Sequence, residues 1–175
     1  MAKAHQPASQ RNSALAGTLV TRSLRHVTIC AVTLKPSPRG PGASTRSKTA
    51  LVRFSSTPSA ETLVNPVGST VRFPNQDPIL HNVFSVSGRN SFDLGLLGKG
   101  AGSTAVFREA GIVRVFCNVH HGMFGYIFVV ATPYWARVAP DGTFRIPDIP
   151  AGPGKLTVWN ERSSPTTQDL TLPLA

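Results

Sequence analysis

Within the seven residues Cys117-Asn118-Val119-His120-His121-Gly122-Met123 stand a thiol, an imidazole and a thioether. Apolar, β-type sequence flanks them on both sides, Gly111-Ile112-Val113-Arg114-Val115-Phe116 before and Gly125-Tyr126-Ile127-Phe128-Val129-Val130 after. A tight loop between two strands would hold all three donors on one side of the turn. A second imidazole has to come from elsewhere. His81, 36 residues upstream of Cys117 in the run His81-Asn82-Val83-Phe84, is the natural candidate. A thiolate, two imidazoles and a weak, long thioether form the donor set that suits copper in electron transfer.

Other chemistries fit the spacing less well. Structural zinc sites offer close pairs of Cys or His and use thiolate, imidazole or carboxylate as the fourth ligand, not Met. Here the only other cysteine, Cys30, lies 87 residues from Cys117. Taken singly, Cys117 reads as a core thiol, His120 as a surface histidine and Met123 as gap-filling core. Taken together, with the distant His-Asn pair, they read as a soft-metal site. A nucleophilic enzyme would use Cys117 with His81 or His120 as base and Asn82 as the third group, but it would leave Met123 without a role. A copper carrier or sensor that binds the ion without redox cycling is the nearer alternative.

The elements that must position these residues are strands. Thr49-Ala50-Leu51-Val52-Arg53-Phe54 reads as an edge strand, followed by Glu61-Thr62-Leu63-Val64 and a turn at Asn65-Pro66-Val67-Gly68. Thr70 and Arg72 alternate with Val71 and Phe73, the period of a half-buried strand. Pro74-Asn75-Gln76-Asp77-Pro78 reads as a rigid loop leading to His81, and Asn82-Val83-Phe84-Ser85-Val86 continues as strand. Residues 87–102 read as a loop; their Gly-x-Gly pieces lack the strand–loop–helix context of a phosphate site. Ser103-Thr104-Ala105-Val106-Phe107 is a further strand. Many short strands with Gly/Pro turns predict an all-β sandwich.

Charge divides the chain. Residues 1–60 hold nine Lys or Arg and no acid, whereas the remainder holds nine basic and eight acidic residues, a net of +1. The formal charge of +10 therefore belongs to the leader. No aromatic platform interleaves that basic stretch, so nucleic acid is not the expected partner. Its apolar piece, Ser13-Ala14-Leu15-Ala16-Gly17-Thr18-Leu19-Val20, is short for a secretory signal. No run of eighteen apolar residues is present, so no integral membrane segment is expected. Residues 1–48 are expected to be a disordered leader.

Residues 61–130 resemble a cupredoxin, the blue-copper family of plastocyanin and amicyanin. The matching run is Gly68-Ser69-Thr70-Val71-Arg72-Phe73, Asn75, Asp77, His81-Asn82-Val83 and Cys117-x2-His120-x2-Met123-x-Gly125. The resemblance implies a Greek-key β-sandwich over 49–131 and one type 1 copper ion held by His81, Cys117 and His120, with Met123 axial. It implies that Asn82 ties its loop to the cysteine loop. It further implies a transient redox partner protein docking at an apolar rim of Gly122, Phe124 and Leu96, and a periplasmic or otherwise extracytoplasmic location. His121, beside His120, is expected to stay off the metal because neighbouring side chains diverge. Residues 132–175, with turn signals at Asp141-Gly142 and Pro150-Ala151-Gly152-Pro153-Gly154, resemble part of a carboxypeptidase regulatory-like β module. At this length they are expected to add a β hairpin layer rather than a sandwich of their own.

Overall fold

The computed structural model describes residues 13–18, 28–34, 50–51, 62–120 and 122–172. The chain is all-β. In order, its strands are β1 (Ser13–Thr18), β2 (Thr28–Leu34), β3 (Ala50–Leu51), β4 (Thr62–Pro66), β5 (Thr70–Asn75), β6 (His81–Ser85) and β7 (Phe92–Leu97). They continue with β8 (Gly100–Val106), β9 (Gly111–Phe116), β10 (Phe124–Val130), β11 (Trp135–Arg137), β12 (Thr143–Ile149), β13 (Gly152–Asn160) and β14 (Ser163–Leu172). A single 3₁₀ turn at Gly88–Asn90 joins β6 to β7.

Two of the sheets enclose the first core. One has five strands in the order β4-β10-β9-β6-β7, and the other three in the order β3-β5-β8. Alternate residues of β5 (Val71, Phe73), β8 (Ala105), β6 (Val83), β9 (Val113, Val115) and β10 (Ile127, Val129) meet between them, with Phe107 completing the cluster. The alternation visible in the sequence is the one that fills this core.

Residues 87–102 are not the loop that their glycines imply. Phe92–Leu97 pairs antiparallel with β6, and Gly100–Val106 pairs with β5. Gly95, Gly100 and Gly102 all take positive φ, which interrupts the alternation without ending the strands. At Gly102 the chain runs so close to Phe73 that a Cβ would lie 1.7 Å from its carbonyl oxygen, so no other residue fits there.

The second departure is larger. Two segments of the expected disordered leader are strands. β1 pairs with β12, and β2 pairs with β13 on one side and β11 on the other. Residues 132–175, too short for a sandwich alone, thereby gain two strands from the far end of the chain. A second core follows, built from Leu15, Cys30, Val32, Phe144, Ile146, Ile149 and Leu172. The signal was present in Thr28-Ile29-Cys30-Ala31-Val32-Thr33-Leu34, a β-branched run, but its pairing partners lie more than 100 residues away. Burial pushes the Cys30 thiol up to about 12. Both cysteines are free.

Strand residues on the faces turned away from the two cores are buried as well. Ile29 and Ala31, on the face of β2 opposite Cys30 and Val32, are fully buried, and so is Phe128, on the face of β10 opposite Ile127 and Val129. None of the three belongs to either core. Such burial on both faces of a strand is what sheets stacked face to face produce. The Arg137 guanidinium, donating to the Thr62 carbonyl, ties β11 to β4.

Val32 tests this topology. Val32→Asp places an unpaired carboxylate in the second core and should cost about 3 kcal/mol or more. Urea denaturation measures it. A loss below about 0.5 kcal/mol, the range of a surface substitution, would contradict a structural role for residues 28–34.

Candidate metal centre

The pairing of β6 with β9 brings the distant histidine to the loop. Phe84 lies opposite Phe116 in an antiparallel register. Continuing that register sets Val83 opposite Cys117 and His81 opposite Val119, inside the cysteine loop. β9 and β10 are themselves paired, from Phe124 opposite Phe116 to Val129 opposite Gly111, so residues 117–123 form the connecting hairpin loop. The Cys117 N–H donates to the Met123 carbonyl at 3.1 Å and the Met123 N–H to the His120 carbonyl at 3.3 Å. Gly122, at φ +88, makes the reversal between them.

Three donor atoms converge. Cys117 Sγ lies 3.9 Å from His81 Nδ1 and 4.0 Å from His120 Nδ1, and the two Nδ1 atoms are 3.1 Å apart. A triangle with those sides has a circumradius of about 2.1–2.2 Å, within the range of metal–imidazole and metal–thiolate bonds, roughly 2.0–2.3 Å. One ion at its centre would reach all three atoms without rearrangement. His81 is 2% exposed, Cys117 9% and Met123 8%, whereas His120 is only half-buried. The centre is closed on the His81 side and open at His120. Among the described residues no fourth His, Cys, Asp or Glu joins the group.

The far side of His81 is held by a carboxylate. His81 Nε2 lies 2.9 Å from Asp77 Oδ2. With the Nε2 proton donated to Asp77, the lone pair stands on Nδ1 and faces the thiolate. Asp77 is fixed in turn by Asn75, whose Oδ1 accepts its N–H at 2.9 Å. The Asn75 amide donates to the carbonyls of Ile79 at 2.7 Å and Leu97 at 2.8 Å, clamping the loop before His81 onto the end of β7. Both residues were in the matching sequence run, but neither was assigned this task. A carboxylate four residues before His81 was the available signal.

Asn82 acts differently from its expected role. Its amide donates to Asp93 Oδ1 at 2.9 Å and to the Gly95 carbonyl at 3.1 Å, so it ties β6 to β7 and not to the cysteine loop. The local cause is the irregular register between Asn82 and Phe84, which turns this side chain toward the edge strand. The Gly95 N–H and the Asn82 amide together hold the Asp93 carboxyl below its ordinary value of 3.8.

Gly122, Phe124 and Leu96 are all exposed. Ile79, Leu80 and Val119, near the ligating positions in sequence, are exposed apolar residues as well. The sequence offered Pro78-Ile79-Leu80 directly before His81 as their signal. His121 lies outside the described residues. No helix among the described residues is long and apolar enough to cross a membrane.

Solved structures similar to this chain include a purple cupredoxin and several variants of amicyanin. A purple cupredoxin from Nitrosopumilus maritimus is 24% identical over 46% of this chain and 99% of its own, with a TM-score of 0.40. A proline-to-glycine variant of amicyanin, in its reduced Cu(I) form at pH 4, is 25% identical over 57% of this chain and 99% of its own, with a TM-score of 0.42. An oxidized proline-to-alanine variant of amicyanin is 27% identical over 47% of this chain and 82% of its own, with a TM-score of 0.41. No family model matches the chain, and no curated protein matches it.

Asp93 gives the site's support a pH signature. A carboxyl depressed on folding contributes stability above its unfolded pKa and loses it as pH falls through the lower folded value. The stability difference between the wild type and Asp93→Ala should therefore be constant above about pH 5 and shrink on acidification. Urea unfolding at a series of pH values reads it, and a difference that grows toward acid would refute the contact.

Proposed function

We propose that the protein is a type 1 copper-binding electron-transfer protein. The observation that carries this reading is the triangle of His81 Nδ1, Cys117 Sγ and His120 Nδ1, whose edges match one metal centre. A zinc site would want a fourth strong donor. Here the loop supplies Met123 instead, buried and closed against Cys117 through the backbone. Two imidazoles, one thiolate and a thioether suit copper.

Bound copper would supply a one-electron couple. The protein's part is to hold the donors in one geometry for both oxidation states. His81, braced by Asp77 and shut from water, is the fixed ligand. Cys117 and His120 are fixed relative to Met123 by the two backbone hydrogen bonds of the loop. His120 stands at the open side, where Leu96, Gly122 and Phe124 offer an apolar rim for brief, weak docking of a redox partner protein. We extend the carboxypeptidase regulatory-like reading to the whole second unit, since β1 and β2 complete the fragment that residues 132–175 alone would make. An extracytoplasmic location belongs to the same reading, and fractionation tests it.

The oxidised, copper-loaded protein should show the intense visible thiolate-to-copper absorption of such centres, and a reversible one-electron potential distinguishes it from a carrier. His120→Ala should abolish the colour or leave a position that added imidazole restores, whereas His121→Ala should keep it. Asp77→Asn should weaken copper affinity about 10–100-fold, because the ligand histidine loses its carboxylate brace. A colourless copper-loaded protein would sink the proposal.

A further inference from the structure

Away from the donor triangle, a cleft of about 640 Å³ opens where the outer face of the five-stranded sheet meets the β13–β14 hairpin. That volume lies in the range of small-molecule sites, roughly 300–1,000 Å³. Its walls come from both units. β9 contributes Ile112, Arg114 and Phe116, alternate residues of one strand face, and the hairpin contributes Arg162 to Pro165. The chain therefore delivers one guanidinium from each side of the junction. Neither the Arg114 nor the Arg162 side chain has a hydrogen-bond or ion-pair partner among the described residues.

We infer that this cleft binds a small organic carboxylate with an apolar body. Two unpartnered guanidiniums present forked donors matched to a carboxylate. Ile112, Phe116 and Pro165 offer apolar surface to the rest of the molecule, which a bare inorganic anion would leave uncovered. The hydroxyl-bearing Ser163 and Ser164 stand beside Arg162. Glu109 also lines the cleft and is exposed, with its backbone held by Asn90. Two cations against one carboxylate leave a balance of +1, which favours a monoanion over a polyanion. The site owes nothing to the metal, although Phe116 immediately precedes Cys117 in the chain.

Isothermal titration of the full-length, copper-loaded protein at low salt tests this with benzoate as probe and benzamide as its uncharged counterpart. Benzoate should bind saturably at one site, and benzamide should bind at least about tenfold more weakly, the worth of one charge-assisted hydrogen bond. Arg114→Gln and Arg162→Gln should each reproduce that loss. Both side chains are exposed and unpaired, so the fold should survive their removal, and far-ultraviolet circular dichroism verifies it. Arg72→Gln, an exposed position on β5 in the three-stranded sheet, should bind benzoate as the wild type does. Repeating the titration on metal-free protein separates this site from the copper reading. Equal binding of benzoate and benzamide, or unchanged affinity in both Arg114→Gln and Arg162→Gln, would overturn the inference.

Discussion

The donor set depends on the antiparallel register that places Phe84 opposite Phe116. His81 begins β6 and Cys117 follows the end of β9, so this single alignment turns a separation of 36 residues into a 3.9 Å approach. A slip of one residue would carry every side chain of β6 to the other face of the sheet. Packing on both faces fixes the register. Val83 and Val115 meet in the first core, while the Phe84 and Phe116 rings lie 5.8 Å apart on the opposite face. The loop that carries Cys117 and His120 can then be short, because strands packed on two sides have already delivered its ends.

Around that alignment the polar groups form a second level of constraint. His81 and Asn75 are nearly completely buried, a costly placement unless their hydrogen bonds are made. Asn75 makes three bonds, to the Asp77 N–H and to the carbonyls of Ile79 and Leu97. Asp77 then reaches His81 Nε2. The loop before His81 is thus held by amide hydrogen bonds as well as by its prolines. Among the described residues no such network surrounds His120. The contrast between a braced, buried imidazole and a half-exposed one gives the centre a closed face and an open face.

The second unit is assembled from both ends of the described chain, with β2 lying between β11 and β13. β2 is consequently a central strand, buried on both faces, although it comes from the basic, Pro- and Ser-rich part of the sequence. The first core sits between the two halves in chain order. Residues of both units line the cleft that holds Arg114 and Arg162. That cleft does not exist in either unit alone.

The donor cluster was partly legible in the sequence because part of it is local. Cys117 and His120 share one loop, three residues apart, and their types and spacing marked them as candidate donors before any fold is known. The all-β class was legible too, since the alternation of Val71 with Arg72 and Phe73 is a property of neighbouring residues. Strand β7 and the first residues of β8, Gly100–Gly102, were not, because glycines at positive φ hide the alternation there. The bond from Asp77 to His81 was half-legible, four residues apart but meaningful only once Asn75 has curled the loop. What only the tertiary structure decided was everything that rests on long-range pairing: the partner of Asn82, the recruitment of residues 13–18 and 28–34 into the second unit, and the placement of Arg114 and Arg162 on one cleft. Strand pairing is a choice among distant segments, made by which apolar faces can be buried together, and no window of sequence contains both sides of that choice.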